Sequence, residues 1–381
     1  MRVLYVSHTH PSEDAILDNV GGMQRVSRQL IDEWQSWEEI DVYEEAVNVA
    51  GRGLVALQTT FFLLRLLVTL AAKARRTDAD VILFSSMVTA SLAWFLRKRI
   101  NIPMVTINHG RDVTLKVGIY QQFLPRVFDA LDGVISVSSA TRDECIKRGM
   151  KPENGIALAN GFDLQKMNNL TDKRVARTEL AKKFDIPVKK KKMLLTVGRQ
   201  VERKGHAWFI NEVFPRLPSD MVYVMIGDGP ERDNIEKAVQ QSAGRERIFL
   251  LGSQPDRILK RAYSAADLFI MPNIPVDGDM EGFGIVLVEA NLARTPAIAS
   301  DLEGIKDVIA NGKNGYKVPP LDADKFAAAV KEIVETDLEQ SGRKARHYVK
   351  KQFAWARVAQ DYKAYLSEII DHYAANKSKI T

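Results

Sequence analysis

The chain has 381 residues, 46% of them hydrophobic, with 54 Lys and Arg against 48 Asp and Glu for a formal charge of +6. This is the profile of a folded, soluble protein with apolar material for two cores, and the basic excess is compatible with nucleic acid, anionic lipid or phosphorylated substrates without choosing among them. One cysteine, Cys145, cannot build a disulfide framework or a cysteine-based metal site, and the six histidines form no HExxH motif or tight pair, so a zinc site is not expected.

From the start, MRVLYVSH predicts a strand rather than a signal peptide. Runs at 2–8, 80–86, 102–108 and 133–139 are short and rich in valine and isoleucine, the pattern of parallel strands buried on both faces. Between the first two, Val26, Leu30, Ile31 and Trp34 fall near one face of a helix. Residues 53–76 are strongly apolar, but Arg65 interrupts them, and a membrane span needs about 20 predominantly apolar residues. Two readings stay open there: a long helix under the sheet, or a monotopic membrane contact with Arg65, Lys73, Arg75 and Arg76 near anionic headgroups. Cys145 reads as a buried or half-buried helical position.

A second strand–helix series begins after the polar, basic stretch 165–192, with strands at 189–198, 221–227, 246–252, 267–273 and 296–301. Two α/β units with mostly parallel sheets are therefore expected, the first over 1–185 and the second over 186–357. The lysine run at 189–192 reads as a solvated flank. No interleaved aromatics and no helix-turn-helix, zinc-finger or RNA-binding motif point to nucleic acid.

Ligands of open α/β sheets bind beyond the carboxyl ends of strands, and the polar motifs sit in those loops. Gly21 and Gly22 precede the first helix, whose free N–H groups suit a phosphate, although a plain flexible helix entry explains them equally well. His109, flanked by Asn108 and Asp112, follows the strand at 102–108 and can orient a hydroxyl or meet an anionic oxygen. Arg199 and Lys204 follow the strand at 189–198; two cations beside glycines suit a diphosphate. Gly227 and Gly229 make a turn that could pass beneath a nucleotide or be only a turn.

In EGFGIVLVEA, the glycines at 282 and 284 place a helix start near Ile285, with Glu281 in the loop before it and Glu289 early in its body. A carboxylate accepts two hydrogen bonds and so suits a vicinal diol. Glu289 can hold a ribose and Glu281 the hydroxyls of a transferred sugar. The Gly-Phe-Gly amides, with Arg199 and Lys204, would then face the diphosphate.

GGMQR at 21–25, NHG at 108–110, NGFD at 160–163, GRQVERKG at 198–205, GDGP at 227–230, EGFGIVLVEA at 281–290 and FAWARVAQDY at 353–362 occur in one order along nearly the whole chain. In this the sequence resembles the retaining GT-B glycosyltransferases of family 4. The resemblance implies two Rossmann-like domains with parallel sheets facing an interdomain cleft, and a last helix, about 358–381, packing back onto the first domain. It implies a nucleoside-diphosphate sugar donor, UDP- or GDP-linked, on the second domain, and no cofactor. The acceptor, a glycan or lipid-linked hydroxyl, would dock on the first.

By the same resemblance Glu289 is the ribose ligand, Glu281 meets the donor sugar, and Arg199 and Lys204 clamp the diphosphate. Gly22 contacts phosphate, His109 lies beside the transferred sugar, and Phe283 and Gly284 offer it backbone donors. The glutamates then bind rather than hydrolyse, and chemistry is a metal-independent same-face substitution. The resemblance also implies a cytoplasmic enzyme of polysaccharide or glycolipid synthesis, for which a peripheral membrane position is one reading. DLEGIKDV at 301–308 departs from the family, with Gly304-Ile305 where relatives carry a glycine pair and Asp307 where glutamate is common; the acidic 273–280 segment could shape the sugar pocket or be a surface loop. A nucleotide-sugar 2-epimerase on the same scaffold and a non-catalytic sugar-nucleotide-binding protein are the alternatives.

Overall fold

The computed structural model describes residues 1–10, 22–48, 55–168 and 170–378. Packing divides the chain into two compact units, one of residues 1–162 with 355–381 and one of residues 163–354.

Unit 1 is built on strands β1 (Arg2–His10), β2 (Asp41–Asn48), β3 (Val81–Phe84), β4 (Met104–Asn108), β5 (Gly133–Ser136) and β6 (Gly155–Ala157). They form one sheet in the order β2-β1-β3-β4-β5-β6, with parallel pairing throughout. Successive side chains of a strand point to opposite faces, and the two faces here are filled separately. Leu4, Val6, Ile82 and Phe84 meet helices α2 (Val55–Arg76) and α3 (Met87–Leu96) and the helix Gly118–Ala130. Val3, Tyr5, Val81 and Leu83 meet helix α1 (Gly22–Gln35) and the terminal helix Trp355–Ser378. The near-continuous hydrophobic runs of β3, β4 and β5 follow from this double burial.

Side-chain bonds along its length hold the terminal helix to the rest of the first unit. Trp34 Nε1 donates to Ala359 O at 3.3 Å, Trp355 Nε1 to Gln29 Oε1 at 2.9 Å, and Tyr365 OH to Asn154 O at 3.0 Å. A Cβ at Gly161 would sit 2.3 Å from the Trp355 indole, so the glycine of NGFD makes room for that ring. The helix opens at Trp355, earlier than residue 358.

In unit 2, strands β7 (Lys192–Val197), β8 (Met221–Ile226), β9 (Ile248–Leu250), β10 (Leu268–Met271), β11 (Ala297–Ser300) and β12 (Gly315–Val318) make a second parallel sheet in the order β12-β11-β10-β7-β8-β9. The packing boundary at Asp163 lies before the 185/186 position read from composition. The reason is the helix Lys173–Phe184, whose cations are neutralised within unit 2. Lys173 Nζ lies 2.8 Å from Asp267 Oδ1, Arg177 pairs with the same carboxylate, and Arg177 Nε donates to Ala265 O at 2.9 Å. A polar, basic stretch that resembles a linker is thus the first helix of the second unit.

The edge strands β2, β6 and β12 are not marked in the sequence. DVYEEAVN of β2 carries acidic and apolar residues together because an edge strand is only half covered.

Candidate active site

The strand order of unit 2 reverses between β7 and β10: the chain proceeds outward through β8 and β9 on one side and through β11 and β12 on the other. Loops leaving the carboxyl ends of β7 and β10 therefore diverge around a crevice, where ligands of such sheets bind. Gly205, in the left-handed region at φ 63°, ends the turn Glu202–Lys204 after β7. A Cβ there would lie 2.0 Å from Pro272 O, so only glycine allows this loop to touch the one after β10. Ile274 N–H completes the junction by donating to Arg203 O at 3.0 Å.

Through this junction Lys204 reaches Glu281. Its Nζ lies 2.5 Å from Glu281 Oε2, and both residues are 8% exposed. Asn273 Nδ2 donates to the same oxygen at 3.3 Å and Arg203 NH1 lies 3.7 Å from it. Burial pushes the Glu281 carboxyl up, but Lys204 and Arg203 outweigh it and hold the group below the usual carboxylate range. Burial pushes the Lys204 ammonium down, only partly opposed by Glu281. The 273–280 segment is tied to the same cluster, with Arg203 Nε 3.5 Å from Asp279 Oδ1 and 3.4 Å from Met280 O.

Beyond Glu281 the backbone turns at Gly284, φ 81°, into the helix Ile285–Leu292, the start expected from the two glycines. Phe283 is 5% exposed and packs edge-on to Phe353 with ring centroids 5.6 Å apart, so its side chain anchors the turn in the core. Among the described residues the amides of Phe283 and Gly284 have no protein acceptor. Glu289 lies one turn into the helix, buried at 8% exposure. Its Oε2 accepts from Tyr263 OH at 2.9 Å and its Oε1 lies 3.3 Å from Lys166 Nζ. Below it, Asn291 and Asn314 bond side chain to side chain and to backbone carbonyls, which fixes the helix end.

Gly227 and Gly229 do a packing job. A Cβ on Gly227 would meet Gly198 O at 1.9 Å and one on Gly229 would meet Gln200 O at 2.2 Å. The loops after β7 and β8 are pressed backbone to backbone, with Gln200 N–H donating to Asp228 O at 2.9 Å. Arg199, at the tip, is exposed and has no carboxylate partner among the described residues.

In unit 1 the strand order reverses between β1 and β3, and a polar cluster lies at that end of the sheet. Half-buried His109 has Nε2 3.1 Å from Ser85 O, and its N–H donates to Asp112 Oδ1 at 2.9 Å. Burial lowers the His109 imidazole, against a raising effect of Asp112. Asp112 Oδ2 also accepts from Met87 N–H at 3.1 Å, and buried His8 Nδ1 lies 3.3 Å from Ser86 Oγ. Gly22 opens α1, while Gly21 lies outside the described residues. Cys145 is buried and its thiol is pushed up to about 12 by that burial, which leaves it unreactive.

Two family models match in succession: "Glycosyltransferase Family 4" over residues 20–166 and "Glycosyl transferases group 1" over residues 177–352. The chain belongs to the family 4, group 1 glycosyltransferases. The amylovoran biosynthesis glycosyltransferase AmsK of Erwinia amylovora is 26% identical over 68% of the chain and 62% of its own length. The phosphatidyl-myo-inositol mannosyltransferase of Mycolicibacterium smegmatis is 30% identical over 71% of the chain and 66% of its own length. The chain thus aligns with less than two thirds of either relative. Among solved structures, Anabaena Alr3699/HepE in complex with UDP superposes with a TM-score of 0.75 at 19% identity, over 97% of this chain and all of that one. The fold is GT-B, with two parallel-sheet α/β domains of six strands each.

In this member of the family the structure joins Lys204 to Glu281, and sets Phe283, Gly284 and Glu289 on one turn and helix. Among the described residues it gives Arg199 no ion-pair partner, and it gives Gly229 a backbone-packing place. Lys166, Arg203, Tyr263, Asn273 and Glu303 also contribute, and the sequence does not single them out. Arg203 stands next to Lys204 in a motif already singled out, and that adjacency was the signal available. Tyr263 and Lys166 come from elements distant in sequence, and nothing local marks them.

Glu303 belongs to the DLEGIKDV loop that departs from the family. It sits in the left-handed region at φ 48°, and its carboxylate accepts the Glu281 N–H. Gly304 N–H donates to Glu281 O at 3.0 Å, and a Cβ on Gly304 would lie 2.1 Å from Gly282 O. The departure therefore lies directly against Glu281. Burial pushes the Glu303 carboxyl from an ordinary 4.5 up to about 7; the Glu281 amide and Arg203 oppose the rise, while the Glu281 and Asp279 charges add to it. A carboxyl raised in the fold disfavours the ionised native state, so its contribution to stability falls as pH climbs from about 4.5 through about 7. Glu303→Gln, which keeps an acceptor for the amide, is expected to flatten this part of the melting-temperature profile. An unchanged slope between about pH 5 and about pH 7.5 would remove Glu303 from that role.

Proposed function

We propose that the chain is a retaining glycosyltransferase that moves a hexose or amino-hexose from a UDP- or GDP-sugar to a hydroxyl of a glycan or lipid-linked acceptor in cell-envelope synthesis. It would work in the cytoplasm, at the membrane periphery when the acceptor is lipid-linked. The observation that carries this reading is the buried Lys204–Glu281 pair at the β7/β10 switch point, beside the unpartnered Phe283 and Gly284 amides. A cation, a carboxylate and fixed N–H donors in one crevice match the three chemical parts of a sugar diphosphate.

In this assignment Glu289 accepts the ribose hydroxyls, its second lone pairs still free after Tyr263 and Lys166 are served. Glu281 accepts hydroxyls of the donor sugar, and the Phe283 and Gly284 amides donate to it. Lys204 and the exposed Arg199 face the diphosphate, with Gly22 at the start of α1 offering a further amide. The Gly229 turn lies under the nucleotide by way of its contact with Gln200. His109, held by Ser85 and Asp112, orients the transferred sugar from unit 1.

The reaction breaks the bond from the anomeric carbon to the diphosphate oxygen and forms one to the acceptor oxygen on the same face. The acceptor proton passes to the departing diphosphate, and Lys204, Arg199 and the amides stabilise the charge that develops there. Side-chain cations supply the positive charge, so no divalent ion is needed in this scheme. Two relatives support envelope and lipid acceptors: AmsK belongs to amylovoran biosynthesis, and the Mycolicibacterium smegmatis protein is a phosphatidyl-myo-inositol mannosyltransferase. A structural neighbour bound to UDP supports the nucleotide.

Calorimetry with UDP, GDP, ADP and their sugar conjugates, without added metal, tests the reading. Selective binding of one sugar nucleotide is expected. Glu289→Ala should weaken that binding about 10- to 100-fold, the worth of hydrogen bonds to a charged group at roughly 1.5–3 kcal/mol. Equal affinity in the folded variant would remove Glu289 from the ribose role.

A further inference from the structure

Helix α2 is apolar on both of its faces. Phe62, Leu66 and Leu70, at 2% exposure or less, face the unit 1 core. Leu57, Phe61, Leu64 and Val68 follow a 4-3-4 spacing on the opposite side and are 70%, 71%, 58% and 80% exposed. At 3.6 residues per turn these four form a single outward stripe, and Arg75 continues it. A soluble helix ordinarily carries polar side chains there.

The stripe does not stand alone. Of the thirteen large hydrophobic residues recorded as exposed among the described residues, nine lie on α2, α3 and the segment 115–119. Trp94 and Phe95 cap the exposed end of α3, and Trp94 stacks edge-on to Phe123 of the neighbouring helix at 5.3 Å. Helices α2 and α3 and the helix Gly118–Ala130, into which the segment 115–119 leads, pack on the same face of the sheet. Residues 53–76, 87–100 and 113–127 contain no aspartate or glutamate. Arg65 and Lys73 are engaged by Glu45, while Arg75, Arg76, Lys98 and Arg99 are exposed without a carboxylate partner among the described residues.

We infer that this face of unit 1 docks on an anionic lipid surface, with the α2 stripe and the Trp94–Phe95 end entering the headgroup–acyl boundary and the arginines meeting lipid phosphates. An apolar stripe, interfacial aromatics and unpaired cations are the parts such a surface recognises. Leu57–Arg76 has the length and composition to cross a membrane, with mean hydropathy 1.3. The burial of Phe62, Leu66 and Leu70 in the sheet core instead makes the helix lie flat. A second copy of the chain fits less well, because a symmetric pairing would bring the unpaired arginines together. The inference rests on the lipid-linked branch of the proposed function for its purpose, and on this surface for its evidence.

The experiment is flotation of the full chain with phosphatidylcholine vesicles and with vesicles containing phosphatidylglycerol, at low and high salt. Binding is expected to the anionic vesicles, weakening with salt. Phe61→Glu/Leu64→Glu, two outward positions whose folding is checked by circular dichroism, should lose it by at least about tenfold. Arg75→Glu/Arg76→Glu should remove the preference for anionic lipid. No binding to either vesicle at low salt overturns the inference, as does a dimer in analytical ultracentrifugation that Phe61→Glu/Leu64→Glu dissolves. Sugar-nucleotide calorimetry on the same variants should be unchanged, so a failure here is separable from a failure of the donor site.

Discussion

Replacing Glu281 with alanine is expected to abolish sugar transfer and to lower stability together. The carboxylate is the only partner of the Lys204 ammonium among the described ion pairs, and neither group has solvent to fall back on. Removing one member of a buried pair leaves the other uncompensated, at about 3–5 kcal/mol. Alanine alone would therefore confuse catalysis with folding. Glu281→Gln keeps the shape and one acceptor for Asn273 and removes the charge. It should fold, and lose at least about 100-fold in kcat/KM, near 2.7 kcal/mol of transition-state stabilisation. Lys204→Met should lose a similar amount, and Glu281→Gln/Lys204→Met less than the sum, because two residues in contact share one interaction. Purely additive losses would separate the two residues. Wild-type kcat/KM in a folded Glu281→Gln enzyme would take Glu281 out of the donor-sugar role.

Gly227→Ala should produce the largest loss of stability from a single methyl group. Its Cβ would lie 1.9 Å from Gly198 O, a backbone atom that no rotamer change can move, and φ at this residue is 142°. Overpacking costs about 1–3 kcal/mol and a side chain in such a conformation about 1–3 more. The methyl can be accommodated only if the loops after β7 and β8 part. These loops carry Arg199 and lead to Lys204, so the donor KM should rise even where the protein still folds. Gly118→Ala is the control, because a Cβ there meets nothing within 4 Å. Urea unfolding and donor kinetics on both variants decide the matter: equal stability and KM for Gly227→Ala would show that the two loops are not rigidly joined.

Much of the local structure around the candidate crevice was legible because its signals are local. The EGFGIVLVEA turn was readable from Gly282 and Gly284, since two glycines so close together disfavour a helix start before Gly284. The pairing of Lys204 with Glu281 was not. The sequence reading put Lys204 and Arg199 together on a diphosphate and Glu281 on a sugar; the structure ties Lys204 to Glu281 across 77 positions. That contact depends on the approach of the Gly205 turn to Pro272, a property of two loops after neighbouring strands. Glu303 is hidden in the sequence for a related reason: the 301–308 loop departs from the family pattern, but its closeness to Glu281 arises only when β11 lies beside β10.

Short-range chemistry lies within the sequence itself: the period of apolar residues that makes strands and helices, the glycines that stop them, and the ordered motifs that mark the family. Each depends on residues a few positions apart, whose interactions are set by backbone geometry alone. The tertiary structure decided which loops meet, which charges are neutralised and which faces stay uncovered. Residues 53–76 show the division. Their apolar character was plain, yet whether a side chain such as Phe61 is core or surface depends on the helix's rotation about its own axis. That rotation is set by where Phe62, Leu66 and Leu70 find the sheet.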